Sequence, residues 1–308
     1  MATGWEMVPE TAKALSAPVT KLIEVIAAGC GRAYGPTDIR RTAAAQGDAM
    51  VVLEEAKGRV SDISLRAAKR MLDVEERRQI NLEAITDIAQ KQLPDEVSDT
   101  PVEPDWSSKF FREAQDVSDE QMRLLWGKLL AGEVTTPGTF SPRTLSIVAN
   151  LGRAEASKFE AVCNLIAIAN GVICTFMSTT SNPVAKQLGL SLGDFLELQA
   201  AGLLNIQALG AQIVLISEDG NGVRASIHRP DGVLLTATQD AQNAKLPIGV
   251  VVFTAAGREL FSIAEWKPYE AQDKAIADSL RNAGWTIERW KEVASKVGVV
   301  ELEPYPFL

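Results

Sequence analysis

QDVSDEQMRLLWGKLLAGEVTTPGTFSPRTLSIVANL, residues 115–151, carries the sharpest local signals in the chain. Ser118 followed by Gln121 has capping-box spacing, in which the hydroxyl accepts from a backbone N–H and the amide reaches back. Asp119 and Glu120 then sit in the first turn, where the helix dipole favours negative charge. Met122, Leu125, Trp126, Leu129 and Leu130 recur at helical spacing and make one apolar face. Gly132 is expected to stop the helix in a left-handed conformation, and Pro137-Gly138 marks a turn. Ser141-Pro142 opens a second helix, with Ser141 as N-cap and Pro142 at the first helical position, where its missing N–H costs nothing. Leu145, Val148 and Leu151 give that helix its buried side. The product is a helical hairpin with a shaped loop, expected to be an architectural hub. Trp126 should pack among Phe110, Leu129 and Leu145. Glu133 should pair with Arg143 and hold the Pro137 loop closed, and catalysis by Glu133 is the competing reading.

Upstream, residues 1–93 read as a long-helix region that could be separated from the rest. Pro18 opens an amphipathic helix with Val19, Leu22, Ile23, Ile26 and Cys30 on one side. That face lacks the aromatic anchors and cationic flank of an interfacial helix, so packing on the protein's own helices is preferred over membrane-surface contact by residues 18–30. Ile39, Ala43, Met50, Leu53, Val60, Ala67 and Met71 fall on heptad-like positions, interrupted by Gln46, Lys57 and Ser64. Asp73 is a second candidate start. One helix or two over 37–92 both fit. Partner docking or self-association through these helices is expected. Residues 94–104, rich in proline and acids, read as an extended linker. A central helical region over 105–170 follows, with Trp106, Phe110 and Phe111 docking on the hairpin and a helix from Ala154 to about Ala169.

After Pro183 the character changes. Short helices are expected at 183–188 and 192–201, then strands at 212–217, 223–228, 233–237 and 250–254, with a helix capped by Thr254. Asp219-Gly220-Asn221-Gly222 is a hairpin signal between the first two strands. The order is similar to a winged-helix domain over 180–265. A helix near 269–282 and a strand near 285–290 fill residues 266–308. The fold class is α+β, mostly α: long N-terminal helices, a central helical hairpin and a small winged-helix-like region.

Chemistry is constrained by what the chain contains. A net charge of −9 over 308 residues argues against a dedicated nucleic-acid binder. The span 192–201 has Asp194 and Glu197 and no Lys or Arg, and the wing offers Arg224, His228 and Arg229 alone. Strong DNA binding is therefore not expected. The single histidine and the three unpatterned cysteines leave little for triads, disulfide frameworks or zinc sites. No phosphate-binding glycine loop or nucleophile elbow occurs. No catalytic residue, cofactor or metal is assigned. The acids Asp105, Asp116, Asp119, Glu120 and Glu133 leave a metal-dependent enzyme as an alternative. Free cysteines and the lack of a leader pattern or a long apolar run suit the cytoplasm.

The runs AQDVSDEQM, LWGKLLAGE and PGTFSPRTL resemble the signature of a bacterial family, domain of unknown function 2806. The resemblance extends to residues 21–26, Arg40-Arg41 and 81–85 upstream, and to 253–260 downstream. More loosely, the central hairpin is similar to the abortive-infection alpha family. The first resemblance carries no catalytic site over to this chain. The second implies a place in anti-phage defence. Together these readings favour a non-enzymatic interaction or effector protein, with a nucleic-acid-binding regulator as the alternative from the winged-helix-like region.

Overall fold

Residues with strong helical spacing form helices, and the runs of alternating or continuous β-branched residues form one large sheet. The computed structural model describes residues 16–30, 62–169, 172–177, 183–206, 214–216, 222–240, 243–245, 249–296 and 299–307. The chain is α+β with more helix than strand, and it divides into two compact units, Met1–Asn150 and Leu151–Leu308. The heptad-like positions from Ile39 to Val60 lie outside the described residues. The boundary cuts the region expected over 105–170, and the last helix of that region belongs to the second unit.

The first unit is helical. It comprises α1 (Ala17–Cys30), α2 (Asp62–Gln92), α3 (Pro104–Ala114), α4 (Glu120–Thr135) and α5 (Pro142–Asn150). Helix α2 runs unbroken through Asp73, because one exposed acid among good helix formers is a weak stop. Its second half packs on α4 through Leu82, Ile85 and Ala89, and α1 packs on α3 through Leu22, Val25 and Ile26. Two glycines mark close approaches. A Cβ on Gly127 would lie 2.4 Å from Ile88 Cγ2, and one on Gly29 would lie 2.3 Å from the Phe111 ring. α1 and the second half of α2 thus contribute core to the same unit as the hairpin.

Residues 94–103 are not a free linker. Val102 is buried, the Ser98 N–H donates to Thr135 O at 3.0 Å, and Lys21 Nζ donates to Ser98 O. The prolines keep the segment extended, but its backbone groups find partners on α1 and α4. Both of its ends belong to the same unit.

The second unit is built on an antiparallel sheet of eight strands in the order β10-β9-β6-β5-β1-β2-β8-β3. The strands are β1 (Ile166–Ala169), β2 (Val172–Met177), β3 (Leu204–Ile206), β5 (Val223–His228), β6 (Val233–Gln239), β8 (Gly249–Phe253), β9 (Thr286–Lys296) and β10 (Val299–Pro304). A separate pair joins β4 (Val214–Ile216) to β7 (Asn243–Lys245). The helices are α6 (Arg153–Cys163), α7 (Pro183–Gln187), α8 (Leu192–Ala200), α9 (Ala255–Phe261) and α10 (Glu270–Asn282). Val223, Ala225 and Ile227 alternate inward on β5, as Val233, Leu235 and Ala237 do on β6, and Ile276 and Leu280 of α10 join them in one core with Trp285.

Three expectations are corrected here. The helix read to Ala169 ends at Cys163, and Ile166–Ala169 is a strand. The strand at 214–216 pairs with β7, so the hairpin expected around Asp219-Gly220-Asn221-Gly222 is not the one formed. The hairpin that does form joins β5 to β6 through Pro230-Asp231-Gly232, where Gly232 has φ 83°. The β5–β6 pair lies inside the eight-stranded sheet rather than standing out as a wing.

Candidate interaction surfaces

The hairpin of the first unit accounts for each residue singled out in it. Trp126 is fully buried and meets Phe110 edge-on, with ring centroids 5.2 Å apart, while Leu129 and Leu145 are buried in the same unit. Its indole N–H has no hydrogen-bond partner. Asp119, not Ser118, is the N-cap of α4 and accepts from the N–H groups of Gln121 and Met122, both at 3.0 Å. The carboxylate is the better match for the helix dipole, and Ser118 Oγ accepts from Asn81 Nδ2 instead. Gly132 stays inside the helix, which continues to Thr135; the left-handed residue is Gly138, at φ 86°.

Glu133 is buried and closes the loop, but not through Arg143. Its carboxylate accepts from the N–H of Gly138 at 2.6 Å and of Phe140 at 2.9 Å. Arg143 is exposed and forms no ion pair with it. Pro137 is half-buried in the turn, and Trp106 Nε1 donates to Phe140 O at 2.7 Å, anchoring the same loop from α3. Ser141 accepts from the Thr144 N–H at 3.3 Å and caps α5, with Pro142 opening the helix. Ser141→Ala is expected to cost about 0.5–2 kcal/mol. Glu133→Gln should cost about 1–3 kcal/mol, because the amide NH₂ would face a buried backbone N–H. Thermal unfolding of both variants checks that ordering.

Of the acids considered as a catalytic group, Asp116, Asp119 and Glu133 are engaged in structural contacts. Asp116 accepts from Arg78 Nε at 3.0 Å and Nη2 at 3.1 Å, with Arg77 at 3.5 Å, and the Arg78 hydrogen bonds hold its carboxyl below the usual range. Asn81, fully buried on α2, donates to Gln115 O at 2.8 Å and accepts from Arg123 Nη2 at 2.7 Å. The turn before α4 is thus clasped by α2. Burial pushes the Lys21 ammonium down, against the pull of Asp99, Glu133 and Glu24. Among the described residues no three of His, Cys, Asp or Glu are grouped to hold a metal ion.

In the second unit, α8 was the candidate groove-reading helix. Ser191 and Asp194 cap it reciprocally: the Asp194 N–H donates to Ser191 Oγ at 3.4 Å, and the Ser191 N–H to Asp194 Oδ2 at 2.7 Å. Lys158 of α6 bridges Asp194 and Glu197, both at 2.6 Å, and its bond to Asp194 draws that carboxyl down to about 2. α8 leaves Leu192 and Leu196 outward, 45% and 49% exposed and one turn apart, beside exposed Glu197 and Gln199. That surface offers no cation to phosphate. A depressed carboxylate stabilises above its unfolded pKa and loses that contribution as pH falls through its folded one. Asp194→Asn should therefore lower the melting temperature at neutral pH, and the gap should close as pH falls from 3.8 to about 2. A pH series of melting curves checks this.

Arg229, read as a wing cation, is buried. Its guanidinium donates to both Asp231 oxygens and, at 2.6 Å, to Asp273 Oδ2. Arg289 Nη2 donates to the same Asp273 oxygen at 2.7 Å, and Nη1 to Pro306 O at 2.7 Å. The Arg289 guanidinium lies 4.3 Å from the Tyr305 ring centroid. This network joins the β5–β6 turn, α10, β9 and the segment after β10. Nothing local in the sequence signals it, since its members are spread from 229 to 306. Of the three wing residues, Arg224 and His228 are the exposed ones.

The remaining surface is α2. No residue from Asp62 to Ile80 is buried. The side of the helix that carries Leu82, Ile85 and Ala89 into the core continues back through Val74, Met71, Ala67 and Ile63. Met71 is 67% exposed and Ile63 71%.

These features define an α+β protein of two units, one a helical hairpin clasped by a long helix, the other built on an antiparallel eight-stranded sheet. The chain belongs to the family described as protein of unknown function (DUF2806), whose model matches residues 65–276. No curated protein and no solved structure matches it. No described helix is long and apolar enough to cross a membrane.

Proposed function

We propose that the chain is a non-enzymatic interaction or effector protein that docks a protein partner through the first half of α2. The observation that carries this reading is the core-facing side of α2 continuing from Val74 to Ile63 with Ile63 and Met71 exposed and Ala67 and Val74 half-buried. Most helical stability in proteins comes from packing an apolar face. A side with Ile63, Ala67, Met71 and Val74 therefore gains most by being covered. The structural use of Asp116, Asp119 and Glu133 favours this reading over a metal-dependent enzyme. The Lys158-bridged acids of α8 and the burial of Arg229 favour it over a nucleic-acid-binding regulator. A place in bacterial anti-phage defence is proposed from family resemblance alone.

The test uses the Ile63→Lys, Met71→Lys double variant in the full chain. Both side chains are exposed, so the melting temperature should stay within about 2 °C of wild type, since surface changes stay within about 0.5 kcal/mol each. Protection of a bacterial host from phage infection should be lost. Full protection by the double variant would show that this face is idle. A stable Glu133→Gln protein without protection would instead favour a site at the hairpin loop.

A further inference from the structure

We infer that the partner on the exposed half of α2 is a second copy of this chain, paired in parallel. This rests on the reading of α2 as a docking surface and adds the occupant and its register. On a seven-residue repeat, Ala67 and Val74 take the d positions and Met71 an a position, with Ser64 at the preceding a and Ile63 on the flanking g, so this side of the helix can serve as the seam of a two-stranded pair. Arg70 then falls at g and Glu75 at e. In a parallel pair each g residue faces the e residue five positions on in the other strand. Arg70 of each copy therefore meets Glu75 of the other, twice by symmetry. In an antiparallel pair g faces g, which sets Arg70 near Arg77, two cations that repel, and leaves Glu75 opposite Ala68. Arg70 is exposed, and Glu75 is 58% exposed with one in-chain bond to Arg78. The seam is bounded on the C-terminal side. Arg78, at the next a position, is tied to Asp116, and Asn81, at the next d, is buried against the turn before α4. The pairing thus extends N-terminally from Glu75 without disturbing the helical unit.

Light scattering of the full chain should give a mass of two chains. Arg70→Glu and Glu75→Arg should each weaken association on the order of tenfold, since each sets like charges against one another in two places. The combined Arg70→Glu, Glu75→Arg chain should recover wild-type association. In a Cys30→Ser background, Ala67→Cys and Val74→Cys should each cross-link to themselves on mild oxidation, which a parallel seam requires and an antiparallel one forbids for at least one of them. A double reversal as weak as the single ones, or cross-linking at neither position, overturns the inference. A one-chain mass at every concentration also overturns it. If the Ile63→Lys, Met71→Lys variant still loses protection in that case, the docking reading stands with a different partner.

Discussion

Trp126→Ala is expected to lower stability by about 3–5 kcal/mol, the usual range for deleting a large buried aromatic. For a chain of this size that is a fall in melting temperature of roughly 6–20 °C. The cause is specific. Trp126 is fully buried, its ring meets Phe110 edge-on, and Phe110 in turn stacks on Trp106, whose Nε1 holds the Phe140 carbonyl of the loop. Removing the indole therefore leaves a cavity under the hairpin and loosens α3 and the loop together. Trp126→Phe should be far milder, because the indole N–H makes no hydrogen bond and its loss leaves no partner orphaned. Melting curves followed by circular dichroism test both. An alanine variant that melts with wild type would remove Trp126 from the hub.

Asp273→Ala is the second large effect, in the other unit. Asp273 is 2% exposed and its Oδ2 accepts from both Arg229 and Arg289. Burial pushes its carboxyl up, opposed by the two guanidiniums. Taking the carboxylate away leaves Arg289 without its closest anion, and breaking one partner of a buried pair typically costs about 3–5 kcal/mol. The contrast that isolates charge is the triple replacement Arg229→Met, Asp273→Leu, Arg289→Met. Swapping a whole buried ionic group for apolar side chains of similar volume is often neutral or stabilising. The single variant should melt well below wild type and the triple variant close to it. Equal loss in both would mean that shape, not uncompensated charge, makes the network matter.

The helical unit was legible because its signals are local. Ser141-Pro142, Glu120 in the first turn, and the apolar spacing from Met122 to Leu130 act within one or two turns, and the structure uses them where they stand. The misreadings came where two local options compete and tertiary contacts choose. Ser118 has the cap spacing, but Asn81 of α2 engages its hydroxyl and Asp119 caps α4. Glu133 could pair with Arg143, but the loop brings two backbone N–H groups nearer. In the sheet unit, β1 is a continuous apolar run without alternation, which periodicity does not separate from helix. The Arg229–Asp273–Arg289 network had no sequence signal of any kind, since it depends on strand order.

Amide hydrogen exchange on residues 62–80 of the full chain tests most directly whether this half of α2 is a docking surface. With α2 paired to a second copy, these amides should be protected at high protein concentration and exchange progressively faster on dilution, while residues 81–92 stay protected throughout. In the Ile63→Lys, Met71→Lys variant the concentration dependence should vanish. Exchange over 62–80 that is the same at every concentration, and the same in wild type and variant, would contradict self-docking through this surface.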